Sequence, residues 1–301
     1  MPWLPGITAL HGFAIAGAYE ETELRLELAT HEDIVRCIDL GDIDRGYSAL
    51  SWAVECADGH CVVPTNNKLA ANLTQAYVAV ASTLLRFGAA VNRHNGDGMA
   101  PLHQASVLGP AEMVSLLSMT ADLNVQDARR GMAPLHYAVS SQTSVDQQLR
   151  ICELLIEAGA NVDMPTFSEQ PPMDREEQQR FLEKTPREMR MGHHGVVPTN
   201  STPLTMAVMM ALQTKDVRVV SLLLTADASV DIRDGGTGQT PLMHAGRVAT
   251  GFPVLTMLLE HGASVDMRDK QGWTALMYAS RHGHAASAQA LLNSGAEINL
   301  Q

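Results

Sequence analysis

Three residues that could bind zinc lie within one short stretch, Cys56-Ala57-Asp58-Gly59-His60-Cys61. Thiolate and imidazole are ligands that Zn²⁺ prefers, but a structural zinc site closes with four of them in a tetrahedron. No fourth ligand with metal-like spacing lies nearby, and the pairs His193-His194 and His282-Gly283-His284 are no better supplied. The sequence therefore favours a loop with reduced cysteines and predicts no metal site.

Two further histidines, His103 and His136, could act as a general base or a metal ligand. Catalytic imidazoles need partners that orient them and set their protonation state. The sequence around these two does not supply such partners. It also contains no GxSxG, no glycine-rich phosphate loop and no HExxH. The glycines of Asp234–Gly238 suit a turn. We therefore expect a protein that is not an enzyme and has no cofactor.

Composition narrows the class of protein. The chain has 301 residues, of which 46% are hydrophobic and only 4% aromatic, and its net charge is −12 at pH 7. This composition is unlike that of disordered, collagenous or membrane proteins. A strongly acidic chain lacks the basic stripe that nucleic acids require. No apolar run approaches the roughly 18–20 residues of a membrane span, so we expect neither nucleic-acid binding nor membrane insertion.

The four cysteines, Cys37, Cys56, Cys61 and Cys152, are too few for a disulfide scaffold and show no CxxC pairing. The N-terminus has no basic segment followed by an apolar core, so no signal peptide is predicted. Because disulfide-poor chains are typical of reducing compartments, the sequence predicts a cytoplasmic or other intracellular protein.

One six-residue motif recurs along the chain and must position the residues above. Its copies begin at Ser48, Ala100, Ala133, Thr202, Thr240 and Thr274, and read SALSWA, APLHQA, APLHYA, TPLTMA, TPLMHA and TALMYA. A Thr cap followed by Pro at the first helical position is a typical helix start. An apolar run that closes on Gly-Ala follows several copies. We expect a second helix over Phe252–Leu259, ended by Gly262 in a left-handed conformation.

These paired segments resemble the ankyrin repeat, which has a period of about 33 residues and a T-P-L-H-x-A signature. The resemblance covers roughly residues 45–301. It implies an all-α ankyrin-repeat solenoid of helix-turn-helix units with hairpin-like tips. Six repeats are expected, starting near Gly46, Gly98, Gly131, Thr202, Gly238 and Gly272. In this family the signature histidine bonds the hairpin backbone, so a structural role is implied for His103 and His136.

The spacing of the signature leucines indicates two interruptions, because it rises to 52 residues before Leu102 and to 69 before Leu204. We therefore predict an acidic N-terminal capping repeat over 1–45, ankyrin repeats over 46–163 with an insertion at 57–71, a helical excursion over 164–201, and repeats over 202–301. A hidden repeat starting near Thr185 is the alternative for the excursion. Because no apolar second helix fits after it, two short helices are preferred there, Arg175–Lys184 and Pro186–Met191.

The resemblance also implies where a partner would bind, since ankyrin proteins use the concave face made by hairpin tips and first helices. Aromatic, Met and Arg side chains are enriched in interfaces, and basic tips on an acidic chain would attract an acidic segment. The candidate partner-binding residues are Trp52, Arg93, Met99, Arg129, Arg130, Tyr137, Arg233, His244, Arg247, Lys270, Trp273, Tyr278 and Arg281.

Two alternatives to this surface stay open. Trp52, Tyr137 and Tyr278 share one repeat position that could belong to the core, and scattered tip charges are often only solvated. The predicted function is a non-enzymatic scaffold or adaptor that binds a protein partner. The second hypothesis is a targeting or regulatory fragment of a larger protein, such as an enzyme, because the repeat before Gln301 has no polar cap. The sequence leaves the oligomeric state undetermined.

Overall fold

The computed structural model describes residues 20, 22, 38–42, 45–57, 70–141, 143–167 and 199–300. Most of the predicted capping repeat, most of the Cys56–Cys61 stretch and both predicted helices of the excursion lie outside these ranges. The described residues form six pairs of α-helices, one for each expected repeat, and no strand. The chain divides into two compact units. Unit 1 comprises Met1–Ala128 and Glu157–Gly159, and unit 2 comprises Arg129–Ile156 and Ala160–Gln301.

Unit 1 contains the helices α1 (Ala49–Cys56), α2 (Ala70–Arg86), α3 (Pro101–Leu108) and α4 (Ala111–Ser118). The first helices of the two repeats, α1 and α3, pack against each other, and so do the second helices, α2 and α4. Leu50, Leu84, Leu102 and Leu117 fill the core between these two layers and are at most 1% exposed. Burial of one such side chain contributes about 1.5–3 kcal/mol.

Unit 2 repeats the same arrangement with more helices. They are α5 (Pro134–Ser140), α6 (Val145–Glu157), α7 (Pro203–Thr214), α8 (Arg218–Thr225), α9 (Pro241–Gly246), α10 (Phe252–Glu260), α11 (Ala275–Arg281) and α12 (Ala285–Asn293). A 3₁₀ turn, Ala249–Gly251, precedes α10. The first helices α5, α7, α9 and α11 pack in chain order, and α8, α10 and α12 form the second layer. The expected second helix after Phe252 is confirmed.

The motif starts each first helix as its chemistry predicts. The hydroxyl of Thr240 accepts a hydrogen bond from the backbone N–H of Met243, and Thr202 and Thr274 cap their helices in the same way. Each cap satisfies one of the N–H groups that a helix N-terminus leaves unpaired. Pro241 occupies a first-turn position where its missing N–H costs nothing.

The signature histidines are structural, as the family resemblance implies. Nδ1 of His103 accepts the N–H of Ala100 at 2.9 Å, so the ring proton lies on Nε2, which donates to the carbonyl of Val125 at 2.9 Å. His136 repeats the pattern between Ala133 and the carbonyl of Ser201. Both rings are fully buried. Each histidine therefore ties its helix start to the next hairpin of its own unit.

The residues flanking the excursion belong to an ordinary hairpin tip. Thr166 N–H donates to the carbonyl of Ser201, Ser201 N–H donates to Oγ1 of Thr166, and Asn200 N–H donates to the carbonyl of Phe167. Asn200 has φ +53°, in the left-handed region that Gly98, Gly131 and Gly238 occupy in other tips. Phe167 and Thr199, the described residues on either side of the predicted excursion, therefore belong to this tip, and residues 168–198 lie outside the described ranges.

A row of side-chain hydrogen bonds joins consecutive repeats. Carboxylate or amide oxygens at the end of one repeat accept the backbone N–H of the next. The pairs are Asp39 with Ala90, Asn92 with Asp122, Asp163 with Ser229, Asp231 with Ser264 and Asp266 with Glu297, at 2.8–3.0 Å. Each pair lies within one unit. The acidic residues here act as connectors between repeats.

The cysteines differ from one another. Cys152 is a free thiol with no exposed surface, and desolvation, followed by the charge of Glu153, raises its pKa to about 12. Cys56 is disulfide-bonded, so the expectation of a reduced thiol is wrong at this position.

Candidate functional site

The fifth residue of the motif bonds the hairpin of its own repeat. In three repeats this side chain reaches back from the first helix to the aspartate that starts the tip. The bonds join Trp52 Nε1 to Asp42 Oδ2 at 2.7 Å, His244 Nε2 to Asp234 Oδ2 at 3.1 Å, and Tyr278 Oη to Asp269 Oδ2 at 2.6 Å. The bonded polar atoms are engaged inside the repeat, so a partner would have to contact other parts of these rings.

Asp234 holds the tip before α9 together. Its side chain accepts the N–H groups of Thr237 and Gly238 and the hydroxyl of Thr237, besides contacting His244. Burial alone would raise the pKa of Asp234, but these hydrogen bonds and the His244 charge outweigh it and lower the pKa to about 2. Asp234 is therefore a structural anion with all its acceptor capacity engaged.

Asp269 plays the same part in the last tip. It accepts the N–H groups of Gln271 and Trp273 and the hydroxyl of Tyr278, which in turn accepts from Gln239 Nε2 at 2.7 Å. Burial opposes ionisation, but the Tyr278 hydroxyl and the two N–H groups lower the pKa of Asp269. Burial and the Asp269 charge raise the pKa of Tyr278. The network fixes Tyr278 as part of the scaffold.

An aromatic pair with an arginine above it lies at the surface of this last repeat. Trp273 and Tyr278 have ring centroids 5.2 Å apart, and the Arg281 guanidinium lies 5.0 Å from the Trp273 ring centroid. Trp273 is half-buried and Arg281 is exposed. Such a cation–π contact orders a long side chain in a defined position while its polar edge stays available.

Unit 1 has a similar aromatic pair, but its arginine is already neutralised. Tyr47 and Trp52 lie 5.3 Å apart, with Arg45 within 6 Å of both rings. Arg45 also forms a 3.8 Å ion pair with Glu55. Burial, followed by the charges of Glu55 and Asp97, raises the pKa of Tyr47. This cluster offers a partner less uncompensated charge than the Trp273 cluster does.

The thirteen predicted binding residues have different exposures. Arg93, Arg233, Arg247, Lys270 and Arg281 are exposed, and Trp52, Arg129, Arg130, His244 and Trp273 are intermediate. The expectation of exposure is wrong for Met99, Tyr137 and Tyr278, which are at most 9% exposed. Lys270 Nζ donates to the carbonyls of Gly235 and Gly236. Whether any of these residues contacts a partner stays a prediction.

Unit 2 also contains a cavity that the sequence did not indicate. Its volume is about 350 Å³, and it lies where the loop after α5 meets the end of α7. Val139, Thr143, Gln148, Met210 and Asp216 are among its lining residues. Its mixed lining suggests no particular chemistry.

Other kinds of site find no support in the part of the chain that the structure describes. There, no group of three or more His, Cys, Asp or Glu side chains is placed to hold a metal ion. None of the helices described is long and apolar enough to cross a membrane.

Comparison with known proteins agrees with the fold. The family model "Ankyrin repeats (3 copies)" matches residues 68–166 and 196–301. The Neurospora crassa "Ankyrin repeat protein nuc-2" is 30% identical over 207 residues, which cover 66% of this chain and 18% of that protein. The zebrafish "Putative palmitoyltransferase ZDHHC13" is 29% identical over 196 residues, covering 64% of this chain and 24% of that protein. The chain thus spans less than a quarter of either relative.

Among solved structures, the human ASB11 ankyrin repeat domain matches with a TM-score of 0.58 and 24% identity, covering 97% of this chain and 99% of that one. This likeness supports the fold. Repeats of this kind generally serve as protein-interaction modules and are typically not catalytic. The chain belongs to the ankyrin-repeat family, because it has the paired helices and buried signature histidines of that family and the family model matches most of its length.

Proposed function

We propose that the protein is a non-enzymatic scaffold or adaptor that binds a protein partner on the face formed by the hairpin tips and first helices. The observation that carries the proposal is the Trp273–Arg281 pair of the last repeat. There an exposed guanidinium is ordered over a half-buried indole without a carboxylate partner among the described residues. Trp and Arg in this arrangement are the residue types that dominate binding energies in protein interfaces.

The proposal predicts a specific double variant. Partners captured from an extract of the native cell by the full chain should be identified by mass spectrometry, and one of them purified and titrated by calorimetry. Trp273→Ala combined with Arg281→Ala should weaken binding at least tenfold, because truncation of an interface anchor costs about 2 kcal/mol or more. Since Trp273 also packs on Tyr278, circular dichroism must show that the variant remains folded.

Arg218→Ala is the matched control, because Arg218 lies at the start of a second helix and already pairs with Asp216 and Asp146. It should bind the partner like the unchanged protein. Equal affinities for the double variant and the unchanged protein would refute the proposed surface.

A second candidate is that the chain is the targeting or regulatory region of a larger protein, such as an enzyme. One observation favours it. The chain spans only 18% and 24% of the two relatives above. The length of the natural transcript tests this candidate directly, and a stop codon directly after Gln301 would remove it.

The intracellular location stays a prediction from the sequence. The small number of cysteines favours it, and the disulfide at Cys56 counts against it.

A further inference from the structure

Two exposed arginines occupy equivalent places in the last two repeats. Arg247 directly follows α9, seven residues after its cap Thr240, and Arg281 ends α11, seven residues after Thr274. Within the described residues, neither guanidinium has a carboxylate at ion-pair distance. Two uncompensated guanidinium groups in register offer a partner two sets of forked donors at a fixed spacing.

The surroundings of the two arginines are positive in a chain that is strongly negative. The tip and first-helix segments 232–247 and 268–284 contain five basic residues, Arg233, Arg247, Arg268, Lys270 and Arg281. Their two acidic residues, Asp234 and Asp269, are 4% and 7% exposed and are bonded to their own tips. Four of the basic residues, Arg233, Arg247, Lys270 and Arg281, are exposed. The charge that this face presents is therefore basic, which complements an anionic ligand.

The two arginines are held differently. The Arg281 guanidinium lies over the Trp273 ring, whereas Arg247 is held through its backbone carbonyl, which contacts Nε2 of His284 at 3.2 Å. The helices α9 and α11 pack directly against each other, and packed helices lie about 8–10 Å apart. An extended chain rises about 3.3 Å per residue. Side chains two positions apart in such a chain, or three positions apart in a polyproline II segment, point to the same side and lie roughly 7–9 Å apart, which is close to the separation of the two helices.

We propose that Arg247 and Arg281 bind two carboxylates of one extended partner segment, in which the acidic residues lie two or three positions apart. Guanidinium and carboxylate form paired, parallel hydrogen bonds, and the indole of Trp273 offers an apolar surface beside them. The inference rests on the proposed function and adds the chemistry of the partner. Unit 1 does not share this feature, because Glu55 stands seven residues after its cap, where unit 2 has these arginines.

Selection from a random 12-residue peptide library on the full-length chain tests the inference. Peptides enriched on the unchanged protein and on Arg218→Ala should carry two Asp or Glu residues with one or two residues between them. Selection on Arg247→Ala/Arg281→Ala should lose this feature. The selected peptide, labelled with fluorescein, should bind each single arginine variant at least tenfold more weakly, with affinity falling as salt rises.

A charge exchange separates direct binding from a structural effect. A peptide with lysines in place of the acidic pair should bind Arg247→Glu/Arg281→Glu more tightly than it binds the unchanged protein. Enriched peptides without an acidic pair, or no enrichment at all, would overturn the inference. A single-stranded DNA oligonucleotide that binds with the same arginine dependence would overturn it as well. The capture experiment above uses no peptide, so the proposed function is judged separately.

Discussion

A single aspartate in each of several tips receives most of the hydrogen bonds that shape the tip. These hydrogen bonds favour the ionised form of the carboxylate. In Asp234, where burial alone would raise the pKa, they lower it to about 2 from an ordinary value of 3.8. A lowered pKa in the folded state stabilises the protein above the pKa of the unfolded chain. The stabilisation is about 2 kcal/mol for this shift, and it is lost as the pH falls from about 4 towards 2.

We therefore predict that Asp234→Asn destabilises the protein by about 2 kcal/mol at pH 7. Urea unfolding of both proteins between pH 2 and 7 measures the difference, which should shrink below pH 4 and vanish near pH 2. Asp227→Asn is the control, because Asp227 is exposed and its left-handed backbone, with φ +59°, suits asparagine. A difference that stays constant with pH would show that the Asp234 charge is not the cause.

Residue identity alone could not show which candidates face a partner. Trp52, Tyr137 and Tyr278 have the residue types of interface anchors, and sequence periodicity places all three at the same motif position. The structure shows that two of them are buried and that Trp52 and Tyr278 donate to tip aspartates. These bonds depend on how far each side chain reaches across its own tip, which the spacing of residues does not encode.

Helix starts were the most predictable elements, because local chemistry determines them. A Thr cap followed by Pro specifies the first turn whatever the tertiary context, and α7 and α9 begin at Pro203 and Pro241 as expected. The ends of the first helices were less predictable. α7 runs on to Thr214 and ends at Lys215 with φ +64°, a length that packing against its neighbours sets.

The connection between α9 and α10 depends on one glycine. Gly251 ends the 3₁₀ turn, and a Cβ added there would overlap the carbonyl oxygen of Ala245. Because that oxygen belongs to the backbone of the buried helix α9, it cannot move aside as a flexible side chain would.

Gly251→Ala should therefore destabilise unit 2 by about 3 kcal/mol, a typical cost of overpacking. Thermal unfolding followed by circular dichroism measures the change. Gly236→Ala provides the comparison, because a Cβ at Gly236 meets nothing closer than 3.7 Å. Equal melting temperatures for the two variants would contradict the predicted overlap.

At the scale of the whole molecule, six copies of the motif predict the six helix pairs that the described residues form, but they do not predict the division into compact units. The division falls at Ala128 and Arg129, within a repeat whose sequence is close to the family pattern. The family pattern describes contacts that every repeat shares. It therefore does not indicate where one compact unit ends and the next begins.

Hydrogen bonds join Thr166 to Ser201 and Phe167 to Asn200 at the base of the excursion, and we call these four residues the stem. Because the stem is closed by these bonds, we predict that the long excursion is not needed for folding. Other tips have one residue or none at this place, as in Ala128-Arg129-Arg130 and Gly96-Asp97. Replacing residues 168–198 with one glycine should leave the free energy of unfolding equal or higher, because a shorter loop costs less closure entropy. A deletion of 166–200, which removes the stem, should be strongly destabilised. If both deletions unfold alike, the stem does not define the boundary.

The same stem has a practical consequence for protein engineering. Because the chain leaves and re-enters the tip through adjacent, hydrogen-bonded residues, the distance between Phe167 and Thr199 does not depend on the length of what joins them. A fluorescent domain or an epitope whose termini lie close together could replace the natural insert and be displayed beside α7. The repeat array would then serve as a scaffold for displaying an inserted domain.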